Sequence, residues 1–488
     1  MSAYTTDEPI AAIATPMGRG AIGVIRASGR GVVSLVAAVS SVPAALENAE
    51  GYTVHRGAVV DPDTNEVMDE VLFLVFREPK SYTGEDSVEI HCHGSPPGIE
   101  AILELLRRRG VRTAQPGEFT FRAFVNGKVD LTRAEAVNEL VNARTEAAQR
   151  LAMHRLSGAV FDRIDRAKGR LVQVMAGLAA QIDYPDDETG EIPMEMETLR
   201  EVRRDLTELR GTYATGRLYQ EGALVVIAGR TNAGKSSLFN ALLREERAIV
   251  SEVHGTTRDY LEVAVSMEGI PVRLVDTAGL RDSSERIESE GIRRSRELLS
   301  LADAAVYVVD GEVGPTSEDE AEIVRLRAEL AGAVVVVVSK EDLVTRRESP
   351  RPRDVASHQV SSVTGAGIHE LPAAIAAVVR ARRTGAPDAA VPDAGASGAG
   401  ARRAGAPPRG SDTSGEAPAV IDSARQRDLL DRAIRCLDAV EEAMDATMPA
   451  DVVAVDVQDA VSALGEITGE VTSADVLDAM FGTFCLGK

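Results

Sequence analysis

The sequence has little cysteine, no excess of basic charge and no long apolar run, and each shortage removes a class of protein. Three cysteines in 488 residues, Cys92, Cys436 and Cys485, are too few and too scattered for a disulfide framework, and no pair has the short spacing of a structural zinc site. A reducing cytoplasm is the expected compartment. Lys and Arg number 54 against 76 Asp and Glu, a net charge of -22, so the chain is not expected to grip nucleic acid through its surface alone. No apolar stretch approaches the length that spans a bilayer, and Met1 to Pro9 lack the basic and apolar regions of a secretory leader.

What is there is globular composition, 44% hydrophobic and 27% charged, in a chain long enough for about two to four domains. Residues 1–121 alternate short apolar runs with Gly and Pro punctuation around one helical stretch near Ile102 to Leu106, the texture of an α+β domain. Helical period follows over 122–221, where Val160, Ile164, Leu171, Met175, Leu178 and Ile182 predict a core-facing stripe stopped at Pro185. Residues 222–380 carry buried-strand runs (Leu224 to Ala228, Val272 to Val275, Ala304 to Val309, Ala333 to Val338) separated by helical segments, which predicts a parallel sheet. Residues 384–418 hold almost nothing but small and polar residues, which cannot offset the entropy of ordering, and read as a disordered linker. Its Arg402, Arg403 and Arg409 read as solubilising charges on a tether. Helical period returns over 419–488 at Leu430, Ile434, Leu437, Val440 and Met444. The expected architecture is multidomain: an α+β N-terminal domain, an all-α domain from two separated segments, and an α/β domain inserted between them.

Gly229 to Ser236 has the phosphate-loop pattern and lies between a predicted strand and a predicted helix. Backbone amides from Asn232, Ala233, Gly234 and onward to Ser237 would cradle phosphates. Lys235 would reach the β and γ oxygens, and the Ser236 hydroxyl would hold Mg²⁺. Asp276, Thr277, Ala278 and Gly279 close an apolar strand, placing a carboxylate beside that metal and an amide near the γ-phosphate. Thr257, in Gly255-Thr256-Thr257-Arg258-Asp259, is the candidate second Mg²⁺ ligand. Ser339, Lys340 and Asp342 end the next strand, where a carboxylate can accept two N–H groups from guanine that adenine does not offer; Ser361, Ser362 and Val363 supply an amide for the guanine carbonyl. GTP is therefore expected over ATP. Leu280 follows Gly279 and cannot orient an attacking water, so another residue must, and the charged run beyond it offers Glu285, Glu288 and Glu290. His91-Cys92-His93 suggests a metal cluster, but strand alternation sends the cysteine to the opposite face from the histidines, and a structural strand is the preferred reading.

These elements, in order and at strand ends, resemble the translation-factor-related GTPases, with Ser339 where Asn or Thr is usual and Ser362 where Ala is usual. Outside them, Ile10 to Pro16 with Gly18 to Arg26, Tyr82 to Asp86, Pro116 to Thr120 with Arg122 to Phe124 and Asn126 to Lys128, and the final Phe484-Cys485-Leu486-Gly487-Lys488 resemble the MnmE (TrmE) family of tRNA modification GTPases over nearly the whole chain.

The resemblance implies an N-terminal domain that dimerises and binds a tetrahydrofolate derivative, 5-formyl- or 5,10-methylene-tetrahydrofolate, with contacts carried onto Arg26, Glu89, Lys128 and Lys488. It implies a homodimer that joins the FAD-dependent partner MnmG (GidA) in a heterotetramer or larger assembly. Together they would install an aminomethyl or carboxymethylaminomethyl group at C5 of the wobble uridine of certain tRNAs. It implies a GTPase activated by K⁺ when two G domains meet, the ion held by Asn232 with Ser251, Val253 and Thr256, and it selects Glu288 to orient water. Cys485 matches the family's C-terminal cysteine, as a thiolate nucleophile or as a small group near the folate. A GTP-dependent ribosome-assembly or regulatory switch is the alternative from another class; it would have no use for the folate motifs. A folate-binding scaffold with a degenerate GTPase is opposed by intact Lys235, Ser236, Thr257, Asp276 and Asp342.

Overall fold

The computed structural model describes residues 4–183, 196–245, 261–276, 298–344, 352, 356–385 and 418–487. The chain divides into two units, Met1–Asn138 with Ile164–Asp183 and Pro449–Lys488, and Glu139–Arg163 with Tyr184–Met448.

The first unit holds a six-stranded sheet of β1 (Ile10–Ile13), β2 (Ile22–Ser28), β3 (Thr53–Asp61), β4 (Glu66–Phe76), β5 (Ser87–His93) and β6 (Arg112–Thr113), in the order β3-β4-β5-β2-β1-β6. Alternation decides its faces. Ile25, Ala27, Phe73, Val75, Val88, Ile90 and Cys92 are buried with Ile99, Ile102, Leu105 and Leu106 of the helix Pro96–Arg108. Arg26, Glu89 and His91 lie in register on the other face of β2 and β5. Cys92 thus turns inward, its thiol donating to the Gly23 carbonyl, while His93 turns outward onto Asp69.

A second cluster joins the two ends of the sequence. Tyr4 stacks on Phe121 at 4.8 Å between ring centroids, and Phe481, of the helix Ala474–Phe481, meets Phe121 edge-on at 5.5 Å. Gly117, in the left-handed region at φ 70°, lets the two segments touch, since a Cβ there would lie 2.5 Å from the Phe481 carbonyl oxygen. Beside this cluster Arg122 is wholly buried, 3.1 Å from Glu85 and 3.2 Å from Glu118, and its guanidinium also donates to the carbonyls of Thr5 and Glu8.

The second unit holds the other sheet, β7 (Ala223–Gly229), β8 (Leu261–Met267), β9 (Ile270–Asp276), β10 (Ala304–Asp310), β11 (Val334–Ser339) and β12 (Ser357–Gln359), ordered β12-β11-β10-β7-β9-β8. The four predicted strand runs became β7, β9, β10 and β11, parallel and buried on both faces as their continuous Val and Ile runs require. β8, which lies outside the four predicted runs, adds an antiparallel partner to β9. Two residues join them, Glu268 at φ 49° and Gly269 at φ 79°, and a turn with both central residues in that region makes a hairpin.

Helical segments from before and after this sheet in sequence pack together. Leu199, Val202, Leu206 and Leu209 of the helix Met196–Gly211 and Leu430, Ala433, Leu437 and Val440 of the helix Ala424–Asp445 are buried, and these two helices pack on each other. Arg200–Glu441 and Arg210–Asp431, both 2.8 Å, with Arg203–Asp438 between them, fix an antiparallel direction. Exposed pairs of this kind contribute little stability, so the apolar stripe carries the contact. Arg155, 2% exposed, clamps the chain where it re-enters at Val420–Asp422: its guanidinium lies 2.7 Å from Glu139 and 2.9 Å from Asp422 and donates to the Val420 carbonyl. The stripe in the helix Ala159–Asp183 has Val160, Ile164, Leu171 and Leu178 buried together with Val174, whereas Ile182, expected in it, is 43% exposed in the last turn. No helix among the described residues is long and apolar enough to cross a membrane.

Candidate functional site

At the carboxyl end of β7 the chain turns through Arg230 to Gly234 and enters the helix Lys235–Glu245. Ligands of open parallel sheets bind outside such strand ends, where a helix N-terminus supplies unpaired amides. Asn232 sits exposed at φ 62°, in the left-handed region that asparagine tolerates better than most residues with a side chain. Lys235 is buried to 6% and folds over the loop, its ammonium donating to the carbonyls of Gly229 (3.0 Å) and Arg230 (2.7 Å). Ser236 follows, its Oγ 2.7 Å from Oδ2 of the fully buried Asp276, at the end of β9. A hydroxyl beside a buried carboxylate is a hard-oxygen donor set that suits Mg²⁺.

The neighbouring strand ends build a second loop cluster. Ser339 Oγ, at the end of β11, lies 2.7 Å from the Ala233 carbonyl and 3.1 Å from that of Val309. Lys340 occupies the left-handed region at φ 58°, and its ammonium is 2.6 Å from Asp310 at the end of β10. Burial pushes the Asp310 carboxyl up, but the Lys340 bond and the Glu312 and Val313 amides outweigh it and hold the group below the usual carboxylate range. Asp342 accepts from Ser361 Oγ at 2.6 Å, and Ser361 Oγ in turn accepts from the amides of Val363 (3.3 Å) and Thr364 (3.1 Å). Phosphate loop, Ser236–Asp276 pair and the Asp342–Ser361 pair therefore meet at one edge of one sheet.

A separate cluster lies on the other face of the first sheet, opposite its main core. Arg26 forks onto Glu89 at 2.8 Å and donates through Nη1 to the Gly487 carbonyl at 3.2 Å. The Tyr82 and Phe119 rings flank its guanidinium at 5.7 and 5.8 Å. Burial raises the Tyr82 phenol, against the opposing influence of its Thr120 hydrogen bond and of Arg26. Lys128 donates to the Pro79 carbonyl and packs its stem near Gly84, so it borders the loop that carries Tyr82. Cys485 is exposed in the segment leading to Gly487, and its carbonyl accepts from the Gly117 amide. A guanidinium, a carboxylate and two rings can hold a flat, polar heteroaromatic ligand with an anionic tail.

The structure thus brings together Asn232 to Ser237 with Asp276, Ser339, Lys340, Asp342 and Ser361 to Val363 in one place, and Arg26 with Glu89 in another. Ser251, Val253, Thr256, Thr257, Thr277, Ala278, Gly279, Glu288, Lys488 and residues 386–417 of the expected linker lie outside the described residues. Three contributors were missed in the sequence. Asp310 could have been found from its position at a strand end; Tyr82 and Phe119 stood within quoted motifs, but nothing local set them against Arg26.

Two family models match the chain, one described as the N-terminus of the GTP-binding protein TrmE over residues 9–128 and one as the MnmE helical domain over residues 131–485. Curated relatives named tRNA modification GTPase MnmE include one from Treponema denticola, 40% identical over 99% of both chains. Another, from Carboxydothermus hydrogenoformans, is 36% identical over 99% of this chain and 100% of that one. Among solved structures, the G domain of the T. maritima FeoB iron transporter is 25% identical over 32% of this chain and 98% of that one, with a TM-score of 0.25, too loose a likeness to carry an argument.

Proposed function

This chain belongs to the MnmE family of tRNA modification GTPases, and from that premise we propose that its phosphate loop hydrolyses GTP to drive modification of the wobble uridine of certain tRNAs. The observation that carries the reading is the convergence at one sheet edge of Lys235, the Ser236–Asp276 pair and the Asp342–Ser361 pair. Lys235 meets the β and γ phosphates with a cation held in a dry setting. Asp342, oriented by Ser361, accepts from the N–H groups of guanine. Ser236 and Thr257 hold Mg²⁺, with Asp276 behind Ser236; when bound, the ion neutralises charge on the phosphate oxygens. K⁺, held by Asn232, Ser251, Val253 and Thr256, would supply further positive charge at the same phosphates.

Leu280 leaves the attacking water without a side chain to orient it, and Glu288 takes that role. Glu288→Ala is expected to bind GTP normally and to lose at least about 10²-fold in kcat, as general-base or water-positioning groups commonly do. Normal single-turnover hydrolysis in that variant would remove Glu288 from the mechanism. Arg26 and Glu89, with Lys128 and Lys488, would hold the folate derivative, the cations suiting its glutamyl tail and the carboxylate suiting the pterin ring as an acceptor. Cys485 stands near that site. The folate's one-carbon unit, 5-formyl or 5,10-methylene, would supply only the methylene carbon attached at C5, the amine nitrogen coming from ammonium for the aminomethyl group or from glycine for the carboxymethylaminomethyl group. The protein works in the cytoplasm as a homodimer with MnmG, whose FAD carries the redox chemistry; a chain of net charge -22 supports a partner that supplies the basic tRNA surface.

The test is steady-state GTP hydrolysis in KCl and in NaCl at matched ionic strength. The expected result is a stimulation of at least about tenfold by K⁺, the size of a well-placed cation's contribution to a developing charge. Equal rates in both salts would refute the K⁺ site at Asn232.

A further inference from the structure

Guanine offers a protein two donors, at N1 and N2, and two acceptors, at O6 and N7. The first three have counterparts in this site. On the reading above, Asp342, held by Ser361 Oγ at 2.6 Å, takes the two donors and the loop Ser361 to Val363 supplies an amide to O6, the Val363 and Thr364 amides being engaged on Ser361 Oγ. Among the described residues, N7 is the group left over.

The side chain at the end of β11 is Ser339, and it is spent. Its Oγ lies 2.7 Å from the carbonyl of Ala233 in the phosphate loop and 3.1 Å from that of Val309 in β10. A hydroxyl carries one proton, so whichever carbonyl it serves, the proton is directed into the protein. The residue is only 1% exposed, which leaves the short side chain no path to a base. The adjacent cation, Lys340, is committed to Asp310 at 2.6 Å. Gly234 packs against the same oxygen, where a Cβ would come within 3.3 Å. One serine oxygen therefore joins a β10 carbonyl, the end of β11 and the phosphate loop.

We propose that Ser339 is a brace between the base loop and the phosphate loop and not a reader of the base, so that this site recognises guanine without a side-chain donor to N7 and accepts 7-deazaguanine nucleotides as well as guanine nucleotides. The inference rests on the reading of Asp342 as the guanine-recognising carboxylate. Removing the brace loosens the phosphate loop, and that loss falls equally on any nucleotide the site holds.

The experiment is calorimetric titration of the full chain with GDP, 7-deaza-GDP and IDP, which lacks the N2 amino group, for the wild type, Ser339→Ala and Ser339→Thr. In the wild type 7-deaza-GDP is expected to bind within about twofold of GDP, and IDP about tenfold more weakly, because a charged acceptor loses one partner. Ser339→Ala is expected to weaken GDP and 7-deaza-GDP by the same factor, about fivefold, the usual worth of one hydrogen bond, and Ser339→Thr to restore both. A fivefold or greater preference of the wild type for GDP over 7-deaza-GDP overturns the proposal. So does a preference that disappears in Ser339→Ala. IDP binding as tightly as GDP would overturn the Asp342 reading itself, a failure distinguishable from the other two. The wild-type comparison stands without the variants, so a Ser339→Ala protein that fails to fold does not shield the idea.

Discussion

Lys235→Met is expected to lower kcat for GTP hydrolysis by about 10²–10³-fold, the cost of removing one preorganised charge from a water-excluded transition state. Methionine keeps the unbranched stem in a position only 6% exposed, so the packing of the helix Lys235–Glu245 survives. What goes is the ammonium, together with its bonds to the Gly229 and Arg230 carbonyls. Loss of those bonds loosens the loop at about 1 kcal/mol each, a change that GTP affinity registers alongside the rate. Circular dichroism melting should stay within a few degrees of the wild type. A variant that melts normally and turns over GTP within threefold of the wild type would exclude Lys235 from the reaction.

Arg122→Ala is expected to cost the first unit about 3–5 kcal/mol, the range for a buried ion pair broken on one side. Arg122 faces two carboxylates, Glu85, which is partly exposed, and Glu118, which is fully buried, so Glu118 loses one of its two cations and gains no water when the guanidinium leaves. The same substitution frees the carbonyls of Thr5 and Glu8, which Arg122 ties down ahead of β1. In a unit of this size such a loss lowers the melting temperature by on the order of 10 °C. Hydrogen exchange locates the effect: β1 and β2 should lose protection while β7 and β10, in the other unit, keep theirs. The double variant Arg122→Met, Glu118→Leu should recover part of the loss by removing the stranded charge. Unchanged melting and exchange in Arg122→Ala would mean that Arg112, which also pairs with Glu118, is sufficient alone.

The phosphate loop was legible because its information is local: consecutive residues between a buried strand and a helix fix where backbone amides point. The pairing of Ser236 with Asp276 was legible at one remove, since the loop into the helix that begins at Lys235 leaves the carboxyl end of β7 and Asp276 ends its parallel neighbour β9. The antiparallel edge strand could have been read too. Val263, Val265 and Met267 alternate with polar or small residues ahead of the Glu268-Gly269 turn, and this half-polar stretch falls outside the four continuous apolar runs that marked the parallel strands. Periodicity predicts a face, not where its partner ends, which is why Ile182 was placed in a core it does not reach. Arg122 and Arg155 show the opposite gap. Nothing in a sequence separates an arginine buried among carboxylates from one on the surface. Nor does any local pattern bring Gly487 to Arg26 across most of the chain; only the family resemblance pointed there.

The contact of Phe481 with Gly117 and of Gly487 with Arg26 has a consequence for biosynthesis. The first sheet leaves the ribosome early, yet residues 449–487, which complete its unit, are made only after some three hundred further residues have been added. At 5–20 residues per second that interval is roughly 15–60 s. Throughout it Tyr4 and Phe121 lack the aromatic ring that later covers them, and Arg26 lacks the Gly487 carbonyl. A nascent chain of this protein therefore carries an exposed aromatic patch at its amino-terminal end for most of its synthesis, a natural foothold for chaperones, and a ribosome that stalls inside the second unit strands it in that state.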